Sequence, residues 1–271
     1  MWNILIHSLL LGCNSQEPTA ATPEKKEDAF QEVNLDDLEQ AAEKATVNLV
    51  PPPLELQNEL KKRGLTSDLS TFVGKKDLSM DIDNTDQIAL RAGVLISDLV
   101  FTINTAPASD LITKLDSLKI AFQKLKAGTD IGATIDDLKE SLNTESPDRE
   151  KILDEMNDLS MVMVSELKYE AGEWVVPLIQ AGSWLEGSHI ISSAIVKENN
   201  QKATELLKKP GTAIYFKRYI NHEGSNKAPP VILNELNKTL DKLEIISKKK
   251  DISMADVEEV KNLTGNLMKF L

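Results

Sequence analysis

From Leu35 to the last residue, apolar side chains recur every three or four positions, and no convincing run alternates in the manner of a strand. The cleanest case is Leu111, Leu115, Leu118, Phe122 and Leu125, followed by Gly128 as a stop. That periodicity admits helices packed on helices and little else, so the chain is expected to be all-α, a multi-helix bundle. Aromatic residues at 4% are sparse, which also suits packed helices better than a sandwich or barrel.

Individual helices can be placed from their caps and breakers. One is expected from Leu35 to Thr46 behind Asn34, stopped by Pro51-Pro52-Pro53, and a second from Pro53 to Gly64. The stretch Ile88 to Ile103 is apolar around most of its circumference and reads as a central helix. Its one polar stripe carries Gln87, Arg91 and Asp98, and Arg91 and Asp98 are read as solvated. A short helix over Ile135 to Leu142 is followed by a long one opened by Pro147 with Ser146 as its cap, burying Leu153, Met156, Leu159, Met163 and Leu167. After an interruption near Gly172, helix resumes from Trp174 to Val196, with Pro177 in its first turn or kinking it. Lys202 to Lys209, Ala213 to Asn221, Pro230 to Lys248 and Ala255 to Phe270 complete the series.

An internal echo runs through these helices. Leu111, Leu115, Asp116, Leu118 and Ile120 recur 125 positions later as Leu236, Leu240, Asp241, Leu243 and Ile245, and Ala92-Gly93 recurs as Ala181-Gly182. Two related halves, about 70–145 and 150–271, are expected within a helical domain spanning 34–271.

The net charge of −12 disfavours nucleic acid and anionic membrane as partners, because both reward clustered Lys and Arg. Half of that excess lies between Glu17 and Lys44, where nine acidic residues face three lysines. The single cysteine, Cys13, rules out an intramolecular disulfide and a multi-cysteine metal site.

Cys13 follows a short apolar run, Ile4 to Leu11, which is less than the roughly 20 residues a bilayer span needs. Leu10-Leu11-Gly12-Cys13 resembles the lipobox of bacterial lipoproteins, although Met1-Trp2-Asn3 lacks the basic residues with which that family's leaders begin. The resemblance implies a signal peptide over 1–12, lipid attachment at Cys13, and a membrane partner through that anchor. Residues 13–33, rich in Ser, Thr, Pro, Glu and Lys, read as a flexible acidic tether. Lys25-Lys26-Glu27-Asp28 loosely resembles the export signals of Bacteroidetes surface lipoproteins, though in those the motif lies much nearer the cysteine. The implied address is the cell envelope, at the periplasmic face of the outer membrane, with the cell surface as the alternative.

Chemistry-bearing residues concentrate between Gly172 and His189. Trp174, Trp184, Glu186 and His189 are candidates for ligand binding. Glu186 and His189 stand one helical turn apart, the Glu-x-x-His spacing of di-iron carboxylate bundles, and are weak metal candidates. Ser97 and Val100 occupy the matching places in the other half, so no symmetric second pair exists; Glu166, Glu170, Glu173 and His222 are the other potential ligands. The plainer reading of His189 is a packing histidine donating to a backbone carbonyl or to Glu186, and of Gly182 and Gly187, points of close helix approach. No Gly-x-Ser-x-Gly turn or phosphate-binding glycine loop appears. The sequence therefore points to a lipid-anchored, non-catalytic helical protein binding a protein or envelope component, without a cofactor. The alternative is a small-molecule or metal-binding bundle, conceivably a metalloenzyme, using Glu186 and His189.

Overall fold

A computed structural model describes residues 59–156, 159, 167, 172, 174–222 and 227–271. The expected leader, the tether, the helix over 35–46 and most of the helix begun at Pro53 lie outside the described residues, as do Met161, Met163, Glu166, Glu170 and Glu173. Among the described residues the chain is all helical, with no strand, and packs as a bundle.

The chain enters as a helical turn over 59–62 that ends at Gly64, whose φ of +79° only glycine adopts without strain. The side chain of Glu198 accepts the backbone N–H groups of Thr66 (3.0 Å) and Ser67 (2.5 Å). Asn200 Nδ2 donates to Arg63 O at 3.0 Å. A 3-10 turn, Leu69–Phe72, leads into an irregular strap over residues 73–84. Helix α1, Thr85–Thr102, then starts behind Asn84, whose side chain accepts from Gln87 N at 2.9 Å. Helices α2, Ala108–Lys124, and α3, Thr129–Leu142, follow. The residue in the left-handed conformation after α2 is Lys126 (φ 59°), and Gly128 is the N-cap of α3, so the expected stop at Gly128 is instead the start of the next helix.

Helix α4 opens at 149. Its cap is Asp148, whose side chain accepts from Lys151 N at 3.1 Å; the cap expected at Ser146 lies two residues too early. Leu153, Met156, Leu159 and Leu167 are buried as expected. Helix α5, Val175–Glu198, has Pro177 in its first turn, where a missing N–H costs nothing. A 3-10 segment, Gln201–Leu207, replaces the α-helix expected over Lys202 to Lys209. Helices α6, Pro210–Ile220, α7, Pro230–Ser247, and α8, Met254–Leu267, close the fold.

Helix α5 is the hub: α1, α6 and α8 pack on it, α2 packs on α1, α3 on α2, and α7 joins α6 to α8. Buried along most of its length, α5 carries Glu186 and four serines among its buried residues. Its tightest neighbour is α1. A Cβ on Gly93 would fall 1.9 Å from Ile179 O, and one on Gly182 2.1 Å from Leu90 O, so the two backbones touch. The close approach expected at Gly182 is real, whereas Gly187 has nothing within 4 Å.

The stripe of α1 is not solvated: Gln87 and Arg91 both donate to Leu271 O, Arg91 also to Ser79 O, and Asp98 is buried. An internal duplication is not established. Leu111, Leu115 and Leu118 are buried like Leu236, Leu240 and Leu243, and Ile120 and Ile245 are both exposed. However, α1 and α2 are joined by residues 103–107 alone, while a 3-10 segment and α6 intervene between α5 and α7.

Candidate functional site

The fold brings four charged side chains to the junction of α1, α2, α5 and the strap. Asp98 projects from α1, Glu186 from α5, Lys114 from α2, and Lys76 reaches in from the strap. Lys76 Nζ lies 2.8 Å from Asp98 Oδ1 and 2.8 Å from Glu186 Oε1; Lys114 Nζ lies 3.8 Å from Asp98 Oδ2. The side chains of Lys76, Asp98 and Glu186 are 9%, 4% and 0% exposed, so this is an ion cluster taken almost wholly out of water.

Burial on that scale penalises every charge in it, and only mutual pairing offsets the penalty. Burial pulls Lys76 down, but the charges of Glu186 and Asp98 and the hydrogen bonds to them outweigh it and hold its ammonium above the usual range. Glu186 goes the other way. Burial, reinforced by the charge of Asp98 and opposed by Lys76, pushes its carboxyl up to about 7. Its second oxygen, Oε2, is buried with no hydrogen-bond partner. For Lys114, burial lowers the ammonium in spite of Asp98.

His189, one turn from Glu186, is engaged elsewhere. Its Nδ1 lies 3.1 Å from Lys261 O. A carbonyl only accepts, so this nitrogen carries the proton and donates. Thr264 Oγ1 is 3.4 Å away, and the ring packs so closely on Gly265 that a Cβ there would meet Cε1 at 2.7 Å. Burial depresses its basicity, a helix-packing environment that favours the neutral ring.

The two tryptophans make separate clusters. Trp174 stacks on His222 with ring centroids 4.7 Å apart and planes 16° apart. His222 Nε2 is 3.1 Å from Asp86 Oδ2, which also accepts the N–H of Ala228 at 3.1 Å. Burial raises the Asp86 carboxyl, in part offset by His222. The indole N–H of Trp174 is buried without a partner. Trp184 packs against Phe216 of α6 at 5.6 Å. The four candidate residues therefore do not converge: each side chain meets a different neighbour.

Among the described residues, no group of three or more His, Cys, Asp and Glu is arranged to hold a metal. Beside Glu186, the place a cation would take is filled by Lys76. The open concavities lie elsewhere. One, about 420 Å³, runs between the 59–69 segment and the end of α1, walled by Leu60, Leu65, Leu69 and Phe101 with Thr66, Asp68 and Asn104 at its polar edge. Another, about 380 Å³, lies between α2 and α3 around Phe122, Ala127 and Gly132. None of Trp174, Trp184, Glu186 and His189 lines either.

Three cluster residues, Lys76, Lys114 and Asp98, escaped the sequence reading. Lys76 sits in an aperiodic polar stretch that gives no sign of burial. Asp98 did carry a signal, as a carboxylate in the second half of a helix that is apolar around most of its circumference. Among the described residues, no helix is long and apolar enough to cross a membrane. Comparison with protein-family models, with curated proteins and with solved structures finds no match to this chain.

Proposed function

We propose that this chain is a lipid-anchored module of the cell envelope, tethered through Cys13 and facing the periplasm, whose helical domain acts by binding rather than by catalysis. The anchor rests on Leu10-Leu11-Gly12-Cys13 and the polar stretch after it. Acyl chains each contribute about 0.8 kcal/mol per buried CH₂, so two or more hold a water-soluble bundle at a bilayer.

The observation that carries the binding reading is that the residues best suited to chemistry are committed to the interior. Glu186 is bound by Lys76, and His189 donates to Lys261 O. General acid–base work needs such groups within hydrogen-bonding reach of a substrate. The larger of the two concavities named above is instead walled by Leu60, Leu65, Leu69 and Phe101, an apolar surface with a polar edge, which suits capture of a ligand or a partner's side chain.

The anchor is tested by membrane fractionation of the full-length protein in its native host. Wild type is expected in the membrane pellet and Cys13→Ser in the soluble fraction. A Cys13→Ser protein that stays with the membrane would overturn it.

A further inference from the structure

We propose that residues 74–77 form an acid-released latch, held shut by Lys76 seated between Asp98 and Glu186 and loosened when Glu186 takes up a proton. Between the half-buried Val73, whose N–H is bonded to Ser70 O, and Leu78, Lys76 is the side chain that plugs into the bundle: Gly74, Lys75 and Asp77 are exposed, and a Cβ on Gly74 would meet nothing within 4 Å. The attachment of this stretch is thus concentrated in one ammonium, gripped at 2.8 Å by carboxylates from two helices. Removing either negative charge weakens that grip without touching the helices. Of the two, Glu186 is the one built to accept a proton. It is 0% exposed, its Oε2 lacks a donor, and it is paired with Lys76, whereas Asp98 is paired with both Lys76 and Lys114.

Every element around the site contributes a group to the balance. The strap supplies Lys76, α1 supplies Asp98, α2 supplies Lys114 with Asp110 behind it, α5 supplies His189, and α8 supplies Lys261. Lys114 pairs with Asp98 and repels Lys76, so it adds to the loosening once Glu186 is neutral. His189 is held toward its neutral form by burial and does not compete for the proton.

The sign follows from what opening removes. Withdrawing Lys76 takes away the cation that favours the ionised carboxyl, whereas the helices that exclude water from Glu186 stay in place. Glu186 therefore binds its proton more tightly in the open form, and linkage makes the open form most populated where Glu186 is protonated. With the closed form titrating at about 7, the latch is loosest below neutrality and tightens as pH rises above it.

Trace acetylation of the full-length protein, read by mass spectrometry as the ratio of Lys76 to Lys75 modification, tests this. Exposed Lys75 is the internal control for the pH dependence of the reagent. The ratio is expected to be level from pH 6 to 7 and then to fall, approaching tenfold per pH unit. In Glu186→Gln, the ratio is expected to stay high and flat. A flat profile in the wild type, or the same fall in Glu186→Gln, would overturn the latch. Should Glu186→Gln not fold, Lys76→Met decides by carbon-13 titration of the Glu186 carboxyl. A midpoint at least about one unit above the wild type supports the latch, and an unchanged or lower midpoint refutes it.

Discussion

The same two helices, α1 and α5, are joined in opposite ways only a few residues apart. At Gly93 and Gly182 their backbones touch with no side chain between them. At Asp98 and Glu186, five and four residues further on, about 6–8 Å along each axis, they are held apart by carboxylates and joined through a borrowed lysine. The first contact gains dispersion and excludes water, and it has no adjustable part. The second costs desolvation and depends on protonation, so it is weaker in net terms yet tunable. One joint fixes the geometry of the bundle, and the other responds to its surroundings.

The largest effect should come from breaking the rigid joint. Gly182→Ala sets a methyl 2.1 Å from Leu90 O, and Gly93→Ala sets one 1.9 Å from Ile179 O. Backbone of a core helix cannot move aside cheaply, so each is expected to cost about 4 kcal/mol, read as a fall in the urea midpoint.

The tunable joint should show itself in pH dependence. Glu186 titrates at about 7 when folded against 4.5 ordinarily. Its contribution to stability is therefore complete below pH 4.5 and is lost as pH rises through about 7. Over that window the wild type is expected to lose roughly 3 kcal/mol that Glu186→Gln keeps, so the variant is the more stable protein at pH 8. Chemical denaturation at pH 5 and pH 8 measures the difference, and equal slopes in both proteins would refute it.

The smallest effect sharpens the contrast between glycines. Gly187, on the same helix, has open space around it. Gly187→Ala should stabilise by about 0.5–1 kcal/mol through helix propensity, with the opposite sign to Gly182→Ala. A loss of stability there would mean that the helix has an unseen neighbour.

What could be read from the sequence follows the range of the forces involved. Helix positions came through because burial imposes the 3.6-residue period directly, as in Leu111, Leu115 and Leu118. Cap identities came through less well: Asp148 and Ser146 are both good caps, and only chain geometry decides between them. Gly182 and Gly187 are alike as letters, and what separates them is the presence of Leu90 across the interface. The Glu-x-x-His spacing correctly put Glu186 and His189 one turn apart, but their partners come from distant segments, the strap and α8. Asp98 was misread because a carboxylate on the polar stripe of a helix is compatible with solvent until Lys76, 22 positions upstream, is brought against it.

Glu186 and His189 are each engaged inside the bundle, by Lys76 and by Lys261 O, and the proposal to be tested is that these contacts are their role. Zinc titration of the full-length protein, following the Glu186 carboxyl carbon and the His189 ring by nuclear magnetic resonance, tests it most directly. Both signals are expected to stay where they are as zinc is added. A saturable shift of the two together would contradict the account and establish a metal site in its place.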